Sequence, residues 1–263
     1  MKFLNYDEYN QIFKIIEGVT GFILFEFANN VGIKKNTIIR NFIARSFTSL
    51  KGVLNLWEVK AYQDCWSINR CMLDRLFHLH YLAQIDSYND FEKWSFIKQY
   101  EALSKINSDR EFKNKLGDEY IQNLKDNRIK YNKYKSENIK WTRPNAEEMA
   151  KDMNLDFLYK YGYDYASTHI HPMANDGEED FYNFTGLKPR PNFPDQIVVI
   201  HNSILVMTLI IQEGLNTSDL LWRNIIYDTL ESIRSSLNGL DKELIINYTK
   251  VAKMFYEKIP LCK

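Results

Sequence analysis

Apolar residues recur at spacings of three and four along most of the chain, and no segment of useful length alternates with period two. The first spacing places apolar side chains on one face of a helix, whereas period two is typical of a strand. We therefore predict an all-α fold, an irregular multi-helix bundle. The predicted helices cover about residues 6–29, 36–60, 61–85, 88–104, 118 onward, 145–153, 155–171, 194–211, 218–237 and 242–258.

Glycine and proline predict where several of these helices begin and end. Gly18 and Gly21 indicate a break that leaves one broken helix or two short ones near the N-terminus. Gly214 indicates the end of the apolar helix that Pro194 begins. The acidic, proline-rich run Met173–Pro194 predicts a long loop, and long ordered loops in compact domains often carry function.

Capping patterns and the order of the helices predict the organisation of the chain. Residues Ser108–Glu111 have the Ser-x-x-Glu form of a capping box, and Asn145 is a predicted N-cap. With 263 residues the chain can hold one large domain or two small ones, and we predict one all-α domain over residues 1–263. Within it, residues 1–34 form an N-terminal packing element, 35–215 a core, and 216–263 a C-terminal helical pair.

The predicted helix Ala61–Ile85 is the centre of the bundle and carries an unusual polar stripe. Arg70, Asp74 and His78 follow one another at intervals of four, so they share a narrow face beside a broad apolar one. An unpaired buried charge costs several kcal/mol. This stripe is therefore either paired in the structure or functional.

A second polar stripe is predicted on the helix of residues 155–171. Tyr159, Tyr163, Ser167 and His171 lie four residues apart, and Pro172 indicates that the helix ends at His171. If the two stripes meet, an aspartate can accept bonds from an arginine and a histidine, an arrangement suited to acid-base chemistry. The same groups can also form a purely structural network that holds two helices in register.

Two further patterns are weaker. His169-x-His171 precedes the acidic loop and suggests a metal site, but two residues apart on a helix point in different directions. Arg75 and His80 have the Arg-x4-His spacing found in the HEPN ribonucleases, which are also helical bundles. Five residues separate these side chains by about 140° on a regular helix, so a core histidine and a surface arginine are the favoured interpretation.

Charge limits the partners that the chain can attract as a whole. Lysine plus arginine and aspartate plus glutamate each number 34, so the net charge is zero and no overall field recruits nucleic acid or an anionic membrane. Residues 125–140 are locally basic and include Tyr131 and Tyr134, with Trp141 nearby. Such a helix can bind RNA or other nucleic acid by phosphate contact and stacking, although a solvated helix face is the favoured interpretation.

Cysteine usage and hydropathy predict a cytoplasmic protein. Cys65, Cys71 and Cys262 suggest neither a disulfide framework nor a zinc site. The N-terminus has no apolar signal segment, and the longest apolar run, Ile197–Ile211, contains polar residues. We interpret that run as a buried helix and expect no membrane partner.

The chain resembles a bacterial helical family known only as domain of unknown function 5677, DUF5677, over about residues 35–215. The resemblance is carried by Ala44-Arg45-Ser46, Ile68 to Asp74, Trp141, Glu148-Met149-Ala150, Tyr163 to Ser167 and His171-Pro172. Family members usually have an Arg-x3-Glu helix and a Tyr-x3-Ser-x3-His segment, and Asp74 stands here in place of the glutamate. The resemblance implies one site containing Arg70, Asp74, Ser167 and His171, and it implies no reaction.

The patterns together lead to two hypotheses. No phosphate-binding glycine loop, nucleophile elbow, paired-cysteine motif or dinucleotide fingerprint is present, so several enzyme classes lose support. The first hypothesis is an effector of stress or phage defence that cleaves RNA or another phosphodiester. In this hypothesis, His171 is the general acid and base, and Arg70 stabilises phosphate charge. Asp74 orients either the histidine or the arginine. The second is a non-catalytic binding module, such as a homodimer, in which the same residues are structural. The sequence predicts no particular cofactor.

Overall fold

The computed structural model describes residues 4–29, 33–107, 118–171, 173–174, 177–187, 195–220, 223–239 and 242–258. Most of these residues are helical and none of them lies in a strand, which confirms the predicted all-α class. The predicted capping box at Ser108–Glu111 and the cysteine at 262 lie outside the described residues. The chain divides into two compact units, residues 1–81 with 144–263 and residues 82–143. The assignment of the whole chain to one domain stays a prediction.

The helices lie close to the predicted segments. They are α1 (Tyr6–Asn29), α2 (Lys34–Glu58), α3 (Tyr62–Ile85), α4 (Tyr88–Asn107), α5 (Asp118–Ser136), α6 (Ala146–Asp152), α7 (Asp156–Leu158, Tyr159–Asp164 and Tyr165–Ser167), α8 (Glu178–Thr185), α9 (Asp195–Thr217), α10 (Arg223–Ser236) and α11 (Lys242–Lys258). Asn145 caps α6 as predicted, because its side chain accepts hydrogen bonds from the backbone N–H groups of Glu147 and Glu148.

The core of the first unit forms where apolar helix faces meet. Helix α2 packs against α1 and α9, and α11 packs against α10 and α1. Helix α3 buries Met72, Leu73, Leu76 and Phe77, as its apolar face predicts. Burying each such side chain contributes about 1.5–3 kcal/mol. With one face held in this way, the polar face of α3 has a fixed orientation.

Two predicted helix breaks are wrong, because the glycines concerned serve close packing. Helix α1 continues through Gly18, where a Cβ atom would overlap the hydroxyl group of Tyr248 in α11. Helix α9 continues through Gly214 to Thr217, and a Cβ there would lie 2.9 Å from Ile43 Cδ1 in α2. A glycine that removes a side chain from a helix contact gives the same sequence signal as one that ends a helix.

The predicted loop over Met173–Pro194 is also partly wrong, since it contains α8. Gly177 and Gly186 flank that helix with φ values of 76° and 68°, in the left-handed region that glycine adopts readily. The two glycines therefore bound a short helix that the surrounding acidic and proline-rich composition conceals.

Helix α9 contains the longest apolar segment described. Val198–Thr217 is long and apolar enough to cross a membrane by length and composition, and 67% of an 18-residue stretch within it is buried in the structure. Core helices of soluble proteins meet the same criteria, so this segment is weak evidence for a membrane span.

The second unit is organised by aromatic contacts between α4, α5 and the segment after α5. The Trp141 side chain is buried, and its ring centroid lies 4.8 Å from that of Phe91 and 4.5 Å from that of Trp94. Lys93 and Glu137 form an ion pair, with 2.5 Å between Nζ and Oε2. These contacts fix the segment after α5 against α4.

Candidate functional site

Arg70 and Asp74 lie one turn apart on the polar face of α3 and form an ion pair. Arg70 Nη1 is 3.7 Å from Asp74 Oδ2, and the two side chains are 25% and 19% exposed. The face that carries them is therefore partly open to solvent. A sealed face would have indicated a purely structural role, so this exposure leaves room for a ligand.

Helix α7 lies opposite this face and has an unusual backbone. Residues Tyr159–Asp164 form a π-helix, with a short α-helical segment on each side. Gly162 is buried in this turn, and a Cβ there would lie 3.0 Å from Leu73 Cδ1 and 3.6 Å from Asn69 Oδ1. Glycine thus lets the π-turn approach α3 closely. Single π-turns occur often at functional sites.

The π-turn places Tyr163 between the two charged groups of α3. Its hydroxyl group donates a hydrogen bond to Asp74 Oδ1 over 3.1 Å and accepts one from Arg70 Nη2 over 3.2 Å. The Arg70 guanidinium carbon lies 4.6 Å from the centroid of the Tyr163 ring, a cation–π distance. The ring stacks on Tyr159 at 5.6 Å and contacts Phe77 at 5.9 Å. Tyr163 is thus a site residue that the predicted catalytic set omitted.

Ser167 completes the network from the end of α7. Its Oγ accepts a hydrogen bond from Arg70 Nε over 2.9 Å and donates one to the Tyr163 carbonyl oxygen over 2.8 Å. The structure therefore brings together Arg70, Asp74 and Ser167, three of the four predicted site residues. The spacing of four between Tyr163 and Ser167 was the sequence signal that could have added the tyrosine.

No described contact joins His171, the fourth predicted residue, to this network. Helix α7 ends at Ser167, so the prediction of a helix through His171 is wrong. Successive backbone bonds from residue i+3 to residue i tighten the chain from Tyr165 to Ile170 into a turn, ahead of Pro172, which cannot donate a bond. His171 is exposed beyond this turn and bonds to no other residue that the structure describes. Its assignment to the site remains a prediction.

Two other histidines hold the surroundings of the site. His78 Nδ1 lies 2.6 Å from the backbone oxygen of Asp74, so this ring donates to its own helix. The His169 ring lies edge-on against Tyr165 at 5.0 Å, and Ser67 Oγ donates to the His169 carbonyl over 3.4 Å. The bond from Ser67 attaches the turn after α7 to α3.

Arg75 and His80, which have the HEPN-like spacing, contact two different helices. Arg75 Nη1 donates to Ser49 Oγ of α2 over 3.0 Å. His80 Nδ1 lies 2.9 Å from Glu213 Oε1 of α9. Arg75 is half-buried where a surface position was expected, and burial lowers its pKa. The HEPN-like spacing thus corresponds to two separate interhelical contacts.

The basic helix predicted to contact nucleic acid is α5 of the second unit. Its aromatic rings pack on α4, with Tyr131 stacked on Tyr100 at 4.6 Å and Tyr134 edge-on to Phe96 at 5.6 Å. The ammonium group of Lys130 lies over the Phe96 ring at 4.6 Å. Stacking of bases on these tyrosines would require the α4 contacts to separate, whereas phosphate contact by the exposed lysines would not.

In the described part of the chain, no three His, Cys, Asp or Glu side chains lie close enough together to hold a metal ion. Cys65 is buried and Cys71 is exposed, and both are free thiols. Burial raises the pKa of the Cys65 thiol to about 12. These residues give no support to the predicted alternative of a His169-x-His171 metal site.

Comparison with known proteins identifies one family. The model of the Family of unknown function (DUF5677) matches residues 36–184, more than half of the chain. That range contains every residue of the network formed by Arg70, Asp74, Tyr163 and Ser167. No curated protein and no solved structure matches the chain.

Proposed function

We propose a function from the site itself, because the chain belongs to DUF5677, a family of unknown function. The proposed activity is binding and cleavage of RNA, or of another phosphodiester, at the partly open face that carries Arg70. The observation that carries this proposal is a guanidinium group held by Asp74, Tyr163 and Ser167 while its side chain stays 25% exposed.

Arg70 is suited to phosphate because its orientation is fixed before a ligand arrives. A guanidinium group has five N–H donors, and hydrogen bonds to Ser167 and Tyr163 use two of them. The third contact, to Asp74, measures 3.7 Å and is longer than a hydrogen bond. The remaining donors can therefore bind the paired oxygens of a phosphate, and an arginine fixed in advance loses less entropy on binding.

Asp74 and Tyr163 act as positioning residues in this proposal. Asp74 attracts Nη1 of Arg70 and accepts the Tyr163 hydroxyl, so it holds both partners against α3. The predicted alternative, in which Asp74 orients a histidine, has no support from the described contacts. The tyrosine ring in turn supports the flat face of the guanidinium.

His171 is the proposed general acid and base. It lies four residues beyond Ser167, and its exposed imidazole can exchange protons with solvent. In cleavage of RNA it would accept the proton of the attacking 2′-hydroxyl group and return one to the leaving 5′-oxygen, while Arg70 stabilises the charge on the phosphate.

The test is cleavage of a labelled single-stranded RNA by the full chain and by Arg70→Lys, with Arg234→Lys as a matched control. Arg234 is 22% exposed, contacts Glu231 three residues away, and donates from Nε to Thr208 and from Nη2 to Gln212, so its bonding closely resembles that of Arg70. Both variants keep the positive charge but lose the planar set of guanidinium N–H donors.

We expect Arg70→Lys and His171→Ala to lose at least 100-fold in cleavage rate, while Arg234→Lys retains the wild-type rate. A full chain that cleaves no RNA would refute RNA as the substrate, and an Arg70→Lys variant as active as Arg234→Lys would refute the proposed role of Arg70. Equal melting temperatures of the two lysine variants would show that differences in activity do not arise from unfolding.

A second candidate function, a non-catalytic module with a structural network, is favoured by one observation. Ser167 both accepts from Arg70 and donates to the Tyr163 carbonyl, so α3 and α7 are linked by bonds that need no ligand. This candidate predicts that Arg70→Ala lowers the melting temperature markedly and that no RNA is bound or cleaved.

A further inference from the structure

Arg75 lies on the side of α3 that faces α2, away from Arg70. Five residues separate the two arginines, which turns their side chains by about 140° around the helix. Arg75 Nη1 donates to Ser49 Oγ, and Arg45 lies one turn before Ser49 on α2. Arg45 and Ser49 of α2 and Arg75 of α3 therefore form a second polar cluster, to which α7 contributes no residue.

No carboxylate in the described part of the chain forms an ion pair with this cluster. Burial lowers the pKa of Arg75, and Arg45 lowers it further, while Cys71 and Asp74 act in the opposite direction. Neither Arg45 nor Arg75 forms an ion pair with any residue in the described ranges. Arg70 and Arg234, by contrast, each have a carboxylate partner.

A half-buried guanidinium beside a second arginine is costly unless an anion compensates it. Ser49 adds a suitable donor, because its hydroxyl group accepts from Arg75 and donates to no acceptor that the structure describes. Arg45 is exposed and can turn toward a ligand. Two guanidinium groups and one hydroxyl group are the donors that phosphate sites commonly use.

We propose that Arg45, Ser49 and Arg75 bind the phosphate group of a small molecule at the α2–α3 surface. Arg75 and Arg45 supply the charge, and Ser49 supplies the neutral donor. The shared chemistry is a phosphate dianion, which can be free phosphate or the phosphate of a nucleotide. This site does not depend on the activity proposed at Arg70.

Thermal melting with inorganic phosphate and with AMP tests the site, with potassium chloride keeping the ionic strength constant. We expect phosphate at 10–20 mM, on the order of ten times a millimolar Kd, to raise the melting temperature of the wild type and of Arg70→Gln by a few degrees. Because Arg70 is itself proposed to bind phosphate, the cluster variants are made in the Arg70→Gln background, where Arg45→Gln and Arg75→Gln should lose this shift. Arg40→Gln, on the same helix α2 but bonded to Asn41, should retain it.

Variants without ligand give an independent readout. Arg45→Gln should melt at or above the wild-type temperature in phosphate-free buffer, because it removes a like charge from beside Arg75. Lower stability of Arg45→Gln would contradict the proposal, as would a phosphate shift that survives in both cluster variants. A larger shift with AMP than with phosphate would identify a nucleotide ligand, and equal shifts would identify free phosphate.

Alkylation of Cys71 provides a second measurement, which remains useful if Arg75→Gln fails to fold. Cys71 is exposed one turn before Arg75, whereas Cys65 is buried. In a Cys262→Ser background, iodoacetamide therefore reports on Cys71. Phosphate bound at Arg75 should slow alkylation at least threefold in the Arg40→Gln control and leave Arg45→Gln unaffected. Equal rates with and without phosphate in the control would overturn the proposal.

Discussion

Tyr163 donates its hydroxyl hydrogen to Asp74 across the contact between α7 and α3, with 3.1 Å between Tyr163 Oη and Asp74 Oδ1. The same oxygen accepts from Arg70. One hydroxyl group therefore links the two charges of α3 to the π-turn, and the position of Arg70 depends on the backbone of α7.

Removal of this hydroxyl group should weaken the contact without changing its packing. Tyr163→Phe keeps the ring on Tyr159 and Phe77 but leaves Asp74 with one bond fewer. We expect a loss of about 1–2 kcal/mol in the free energy of unfolding, measured by urea denaturation. Tyr159→Phe is the control, because no described residue bonds to its hydroxyl group, and it should change stability by less than about 0.5 kcal/mol. Equal losses in both variants would contradict the assigned role.

Two glycines within helices should respond to alanine in opposite directions. At Gly21, a Cβ meets no atom within 4 Å, so Gly21→Ala should stabilise the chain by about 0.5–1 kcal/mol. At Gly214, a Cβ would lie 2.9 Å from Ile43 Cδ1 and 3.0 Å from Ile39 Cγ2, both buried, so Gly214→Ala should cost about 1–3 kcal/mol. Thermal melting of the pair distinguishes the two cases, and destabilisation by both would show that α1 is not continuous at Gly21.

The helices of this fold could be predicted from apolar spacing, but the helical glycine at 214 and the π-turn of α7 could not. In the sequence, Gly214 resembles a helix end. The residue that fills the space beside it, Ile43, lies 171 positions earlier, so the sequence does not reveal this contact. The π-turn is hidden for a related reason. Tyr159, Tyr163 and Ser167 have ordinary α-helical spacing, and the sequence does not indicate that the backbone widens there, where Gly162 packs closely on Leu73.

The candidate site was predictable in part, because side chains four apart on a helix share a face. That rule identified Arg70 with Asp74 and indicated Ser167, and the structure brings the three together. It failed for the length of the helix, because tight backbone turns end the helix at Ser167, before His171. Local spacing predicts neighbours within one helix but does not predict where the helix stops.

Acid should destabilise the fold through His201. Burial lowers the pKa of this histidine below its unfolded value of about 6.5. Below that pH, the unfolded chain binds a proton that the folded chain does not, so the free energy of unfolding falls as the pH falls. The loss should continue until the pH passes the folded pKa. Above pH 7.5 the residue is neutral in both states and contributes no slope.

Urea denaturation between pH 5 and 8.5 checks this expectation. His201→Asn should have a smaller decrease in the free energy of unfolding between pH 7 and pH 5 than the wild type. The difference between the two proteins should be constant from pH 7.5 to 8.5, which serves as the internal control. Parallel curves down to pH 5 would show that burial of His201 does not contribute to acid sensitivity.

Replacement of Asp74 should separate binding from turnover, if the proposed cleavage of RNA is correct. Asp74→Asn removes a negative charge 3.7 Å from Arg70 Nη1 and keeps a side chain that can accept from Tyr163. The phosphate then approaches a more positive surface, so KM for RNA should fall at low salt. Arg70 is also held less firmly, so kcat should fall about tenfold or more.

A KM that rises together with a lower kcat would instead indicate that Asp74 mainly maintains the fold. Steady-state kinetics at 50 and 200 mM salt distinguish these outcomes, because only the electrostatic change in KM depends strongly on salt.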